Sequence, residues 1–482
     1  MPEIKNYRNL IGGELRAPSS GKYLDSINPA TGQVWARVPA GNKDDIDAAV
    51  AAARAAQPAW AAMPGPARAH IMRQIGQIFM KHGEEIARME TTDNGRLLGE
   101  NVQRAGIGMA YVWDNTAGLT LEASIGRSAV LENNMMGFTR REPYGVIAAI
   151  VPWNAPVAMT CGKASLALAG GNTVVVKPPE QASVAVLRFA ELLAEVVPPG
   201  VINIVCGEGP DAGEPLVSHP GINKISMTGS SVTGKRIQAA AAPNLTSAIF
   251  ELGGKSPNIV LEDADLDAAA EGVSTGAIFT GNAGQVCVAG SRILVQRNIM
   301  DDLLQRIRAI TEKIVVGDPF DARSCMGPIV SQKQFERVTG FIEAGKRDAE
   351  LVFGGRYGDV VVPSMPGGYW VEPTLFRTED NSLSICQEEI FGPVAVMIPF
   401  DTDDQAIAIA NDVNFGLASG LWTRNLSRAH RYIREIQAGS VWVNTYRQPR
   451  LELPFGGYKQ SGYGHDDIYE YTREKSAIIN PI

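Results

Sequence analysis

Little in this chain points to secretion, metal binding or a charged polymer as partner, and each shortage closes off a class of function. Cysteine is sparse: Cys161, Cys206, Cys287, Cys325 and Cys386 are odd in number, widely separated and without paired metal-ligand spacing. That pattern speaks against a disulfide framework and a structural zinc, so no metal and a reduced, cytoplasmic setting are expected. Basic residues do not dominate, because 44 Lys and Arg stand against 52 Asp and Glu, leaving −8 with no long run of one sign. Nucleic acid and an anionic membrane surface are therefore not expected as partners. No apolar run reaches the roughly 18 residues that a membrane span needs; the nearest, Ala155 to Leu168, contains Lys163. The opening MPEIKNYRNLIGGEL has no basic segment followed by an apolar stretch and a small-residue cleavage site, so export is not expected.

What remains is ordinary globular material, 45% hydrophobic and 20% charged, and 482 residues exceed what one core usually serves, so two or more domains are expected. Residues 44 to 95 carry Ile71, Ile75, Ile78 and Phe79 at helical spacing, with a break predicted near His82-Gly83. From Val146 the texture changes to short β-branched runs between helical segments: VIAAIV, TVVVK, INIVC, NKISM and SAIF. A second series follows in PNIVL, RILVQ, VAVMIPF and SVWVN. Strands alternating with helices predict parallel sheets covered on both faces, hence an α/β fold with two such domains. Residues 121–145 have turn residues midway and no helical repeat, which fits a protruding hairpin, and the tail KSAIINPI reads as an edge strand wanting a partner.

The chemistry begins with TGNAGQVCVAGSR, residues 280–292, where Cys287 sits among small residues before a strand. A free cysteine is usually a small core hydrophobe; a nucleophilic one needs a base, an oxyanion donor and an electron acceptor nearby. Glu251 closes the strand SAIF just before Leu252-Gly253-Gly254, and Asn154 follows VIAAIV in VPWNAP, both where sites of parallel sheets are built. A strand-end Glu is also commonly a solvated ion pair, and an Asn before Ala-Pro commonly a turn. For a dinucleotide, GEGPDAG at 207–213 misses the glycine fingerprint by one residue, whereas MTGSSVTGKRI offers the Ser230 hydroxyl and free N–H groups at a helix start. KPPE adds Lys177 at a strand end and Glu180 three residues on, a pair suited to ribose hydroxyls or to nothing more than a surface ion pair.

The motifs VPWN, KPPE, MTGS, FELGGKSPN, GQVC, EEIFGP and PFGGYKQSGYG occur together and in order, and the chain resembles the aldehyde dehydrogenase superfamily over nearly its whole length, most of all its bacterial NAD-linked, non-acylating members. The resemblance implies Cys287 as nucleophile, Glu251 as general base and Asn154 as oxyanion donor. It implies NAD as cofactor, bound by Pro152, Trp153, Lys177, Glu180, Gly229, Ser230, Leu252, Glu389 and Phe391, with Glu180 favouring NAD over NADP. Ala155, Ala158, Gly162, Arg447, Arg450 and Phe455 would line the substrate pocket, the small residues leaving room for a bulky or polar aldehyde. Met227 departs from the Phe common before Thr-Gly-Ser, and the segment from Glu251 to Cys287 is slightly longer than in animal members. The resemblance further implies a Rossmann-like cofactor domain from 1–120 and 144–253, a catalytic domain from 254–462, and an oligomerisation arm from 121–143 and 463–482, in a homodimer or homotetramer. A thioester or ester hydrolase using the same Cys and Glu, a CoA-acylating enzyme and an inactive relative are the rivals. The ribose-binding residues speak against the first, Glu251 against the second and the intact trio against the third.

Overall fold

The β-branched runs form two separate parallel sheets in the computed structural model, which describes residues 4–448 and 450–480. In the first sheet the strands are β1 (Val146–Ile150), β2 (Thr173–Lys177), β3 (Ile202–Ile204), β4 (Lys224–Thr228) and β5 (Ser247–Glu251). Their spatial order is β3-β2-β1-β4-β5, all parallel. The chain thus builds outward from β1 in one direction, returns, and builds outward in the other. Antiparallel strands extend both sides, Asn9–Ile11 and then Glu14–Arg16 beyond β3, and Gly462–Tyr463 beside β5.

Side chains of a strand alternate between faces. Ile147, Ala149, Val174 and Val176 pack on one side against the helices α2 (Gly65–Asn94), α3 (Gly108–Glu122), α4 (Pro156–Ala169) and α5 (Val184–Leu193). Val146, Ala148 and Val175 pack on the other with Ile46, Ala49 and Val50 of the helix Lys43–Ala62. Both faces being buried explains why these strands read as continuous apolar runs.

The break anticipated at His82-Gly83 does not occur, because α2 runs unbroken to Asn94 and ends at Gly95 with φ +77°. Gly83 marks a close approach instead: a Cβ there would fall 2.7 Å from the Gly106 Cα. Burial against a second backbone outweighs the weak helix propensity of a single glycine.

The second sheet contains β6 (Pro257–Val260), β7 (Arg292–Gln296), β8 (Thr374–Arg377), β9 (Val394–Phe400), β10 (Ala418–Trp422) and β11 (Ser440–Val443) in the order β8-β9-β7-β6-β10-β11, again parallel. The strand Glu350–Phe353 adds antiparallel to β8. The anticipated hairpin is present as Ser128–Val130 and Met136–Pro143, and the tail strand Thr472–Ile479 pairs antiparallel along the whole of the latter. Pro481 and Ile482, placed in the arm by sequence, lie outside the described residues.

Candidate active site

Four of the strands named above end in side chains of interest on one edge of the first sheet. Pro152, Trp153 and Asn154 follow β1, Lys177 ends β2, Thr228 ends β4 and Glu251 ends β5. The reversal of chain direction between β1 and β4 leaves a crevice beyond their carboxyl ends, where open α/β sheets bind ligands.

The Cys287 loop comes from the other domain and reaches this edge because glycines let it in. A Cβ on Gly254 would strike the Cys287 carbonyl oxygen, and one on Gly253 would strike the Glu389 carboxylate. The pair read as a sharp turn in sequence is therefore a double close approach. The loop is strained as well: Ala283 has φ +50° and Gly284 φ +68°, a geometry that persists only where packing enforces it.

The thiol remains partly accessible, packed against Val288, Leu417, Trp442 and Phe455. Burial first, then the charges of Glu251 and Glu389, push it up to about 12, while backbone N–H groups of Val288 and Cys287 pull in the opposite direction. These N–H groups face the sulfur. Asn154 is buried, and its amide Nδ2 donates to the Gln285 carbonyl at 2.9 Å. Its own backbone carbonyl accepts from Arg96 Nη2 at 2.9 Å and from Asn282 Nδ2 at 3.3 Å. The residue is thus held from both sides against the Cys287 loop.

Glu251 is buried and turns toward the sheet, its Oε2 accepting from the Thr228 hydroxyl at 3.0 Å. Behind it lies a charge cluster. Lys163 Nζ donates to Asp466 Oδ2 at 2.9 Å and to Ser226 Oγ at 3.0 Å, and the Tyr471 hydroxyl reaches both Ser226 and Asp466 at 2.9 Å. Burial, then repulsion from Asp466, raises the Glu251 carboxyl to about 8, with Lys163 opposing. Asp466 stays below the usual carboxylate range despite its burial, because Lys163 neutralises it. Glu251 Oε1 is buried with no hydrogen-bond partner among the described residues, so burial and the charged Asp466 favour its uptake of a proton, the direction a general base requires. Lys163 and Asp466 were not assigned roles from sequence; the lone charge in the apolar run 155–168 was the available signal.

The dinucleotide candidates also converge. Lys177 Nζ is buried and donates to the Pro178 carbonyl at 3.0 Å and to Glu180 Oε2 at 3.3 Å. Ser230 caps the helix α6 (Ser231–Ala241), accepting from the Thr233 N–H at 3.2 Å. Gly229 donates to the Glu251 carbonyl, and a Cβ there would strike the Met227 methyl. Leu252 packs against Gly234 of α6, drawing the helix start to the sheet. Glu389 accepts from the Gly254 N–H at 3.0 Å, and burial raises it to about 7. Phe391, in the left-handed region at φ +59°, stands edge-on to Trp153 with ring centroids 5.1 Å apart. A helix N-terminus for phosphate, a Lys–Glu pair for one ribose, a second carboxylate and two aromatic walls fit a dinucleotide. The near-motif 207–213 forms only a short irregular turn, Gly209–Gly213.

On the substrate side, Ala155, Ala158 and Gly162 of the α4 region are half-buried, and a Cβ at Gly162 would meet no atom within 4 Å. Phe455 sits with Cys287. Arg447 adopts φ +53° and turns inward, toward Cys287, Glu100 and Arg104. Arg450 is exposed. Among the described residues neither forms an ion pair with Glu452.

Fold and site together define a dinucleotide-dependent enzyme with a nucleophilic thiol. Residues 16–478 match the profile of the Aldehyde dehydrogenase family. The chain is 40% identical to the betaine aldehyde dehydrogenase of Rhizobium leguminosarum bv. trifolii across 98% of its own length and 96% of the relative's. It superposes with TM-score 0.94 and 39% identity on the NAD+ complex of aldehyde dehydrogenase from Bacillus cereus, covering 98% of this chain and 96% of that one. A gamma-glutamyl-gamma-aminobutyraldehyde dehydrogenase of Burkholderia cenocepacia is 42% identical, with TM-score 0.94 and coverage of 99% and 97%. The chain belongs to the aldehyde dehydrogenase family and oxidises an aldehyde with NAD. No helix among the described residues is long and apolar enough to cross a membrane.

Proposed function

We propose that this enzyme converts its aldehyde to the free carboxylic acid through a covalent adduct on Cys287. The observation that carries the reading is the placement of Cys287, through Gly254, against an edge that also presents Asn154 and Glu251. The thiolate adds to the aldehyde carbon, and the Asn154 amide leaves Gln285 to donate, with the Cys287 N–H, to the new oxyanion. NAD held by the residues named above would supply the hydride acceptor, so that the adduct carbon is oxidised to a thioester on Cys287. Glu251 then rotates from Thr228 toward the thioester and takes a proton from the attacking water, which frees the acid and the thiol. Lys163 and Asp466 set how readily Glu251 accepts that proton.

In this reading residues 1–120 and 144–253 hold the cofactor, 254–462 supply the thiol, and 121–143 with 463–482 join subunits in a homodimer or homotetramer. Lys177 and Glu180 would hold the adenosine ribose, Ser230 the pyrophosphate and Glu389 the second ribose, with Phe391 packed near the nicotinamide. Five free cysteines, none in a disulfide among the described residues, fit a reducing cytoplasm.

Intact-mass measurement after mixing Glu251→Gln enzyme with aldehyde and NAD tests the mechanism. An acyl group on Cys287 is expected to accumulate, absent from Cys287→Ala. Acid production by Glu251→Gln at the wild-type rate with no adduct would reject it.

A further inference from the structure

Two guanidiniums near the substrate groove lack a partner. Arg447 is carried inward by a left-handed turn and, although mostly covered, donates no hydrogen bond and forms no ion pair among the described residues. Arg104 arises from the irregular segment Val102–Ile107, a single turn of wide helix of the kind that recurs at functional sites; it is exposed and forms no ion pair among the described residues. Each lies within electrostatic reach of the other and of the buried Arg96. Arg96 is already occupied in holding the Asn154 carbonyl at 2.9 Å.

Two carboxylates lie in the neighbourhood and neither forms an ion pair with these arginines among the described residues: buried Glu90, which acts on Arg96 and Arg104, accepts instead from the Val157 N–H at 3.3 Å. Glu100 lies folded over the Gly281 backbone, its Oε2 buried without a donor, and no arginine approaches it within ion-pair distance. A mostly buried, unmatched guanidinium is costly unless something else satisfies it. Arg447 is tied to the thiol loop by its neighbour Tyr446, whose hydroxyl donates to the Val288 carbonyl at 2.9 Å, while Ala155, Ala158 and Gly162 are small and half-buried, with no atom within 4 Å of a Cβ at Gly162.

We infer that Arg447, assisted by Arg104, forms an anion subsite at the far end of the substrate groove, and that the preferred aldehyde carries a carboxylate distal to the reacting carbon. The inference rests on Cys287 being the reacting thiol. A planar guanidinium grips a carboxylate through two parallel N–H donors, which fixes both the position and the orientation of the chain bearing the aldehyde. The same charges repel a quaternary ammonium. This chain therefore differs in specificity from what the name of its betaine aldehyde dehydrogenase relative says of that protein.

The test compares kcat/KM, with NAD in excess, for 4-oxobutanoate, 5-oxopentanoate and 6-oxohexanoate against neutral 4-methylpentanal and trimethylammonium acetaldehyde. The wild-type enzyme is expected to favour at least one oxo acid over both others by tenfold or more. Arg447→Ala should lower the ratio of that oxo acid to 4-methylpentanal by about 10- to 100-fold, Arg104→Ala by less, and Arg447→Lys by an intermediate factor. Arg54→Ala, exposed on the helix Lys43–Ala62 away from the site, should leave the ratio within twofold. Because the readout is a ratio within one preparation, partial loss of folded enzyme does not mimic the effect. Equal or better use of the neutral or cationic aldehyde, or an unchanged ratio in Arg447→Ala, would overturn the inference while leaving the dehydrogenase intact. Failure to reduce NAD with any aldehyde would instead remove the reading beneath it.

Discussion

Lys163 Nζ stands 2.9 Å from Asp466 Oδ2, bringing the helix α4 and the loop before Ile468 together behind Glu251. The pair sets the charge that Glu251, the proposed general base, feels, and its two members act in opposite directions. Removing Asp466 takes away repulsion, so Asp466→Asn should lower the Glu251 pKa and move the rising limb of kcat against pH toward acid. Lys163→Met should move it toward alkali. Each shift should be about one pH unit, or about 1.4 kcal/mol. Steady-state rates from pH 5 to 10 check this, and equal shifts of the same sign would contradict it.

The Cys287 thiol is held high chiefly by burial and secondarily by Glu251 and Glu389. Glu251→Gln removes one of those charges, so alkylation of Cys287 by iodoacetamide should reach its half-maximal rate at lower pH than in the wild type. Saturating NAD should also accelerate alkylation, since a cationic nicotinamide bound near the thiol would favour the thiolate. Rates are read by labelled-peptide mass spectrometry.

Asn154 donates to Gln285 in the resting protein. Asn154→Ala removes the oxyanion donor and should cost about 100- to 1,000-fold in kcat. NAD affinity, measured by fluorescence quenching, should change little. A loss confined to KM would place Asn154 in substrate binding alone.

Glu180 accepts from Lys177 at 3.3 Å at the rim of the ribose site. A carboxylate there accepts ribose hydroxyls and repels a 2′-phosphate. NAD should exceed NADP in kcat/KM, and Glu180→Ser should narrow the gap by about tenfold, equivalent to about 1.4 kcal/mol. NADP used as well as NAD by the wild type would show that Glu180 does not face the 2′ position.

The three-stranded arm presents Val130 at 85% and Ile478 at 66% exposure, one on each of its two edge strands. Such an edge invites another chain. Sedimentation should find a dimer or tetramer at micromolar concentration, and Val130→Glu with Ile478→Glu should shift it toward monomer.

Periodicity alone determined the two parallel sheets, since strands buried on both faces must be apolar throughout, as TVVVK and VAVMIPF are. Local motifs likewise located Cys287, Glu251, Asn154, Lys177 and Glu389, because strand ends and glycine pairs are written in adjacent residues. The helix break at His82-Gly83 was misread for the converse reason: what decides Gly83 is the backbone of Gly106, remote in the chain and invisible to local propensity. The contact between Lys163 and Asp466 spans 303 residues, and the inward turn of Arg447 depends on a backbone conformation that neighbouring residues do not dictate. Sequence specifies which chemical groups are available; distance and burial specify their charge and partners, and those arise only when the domains close on one another.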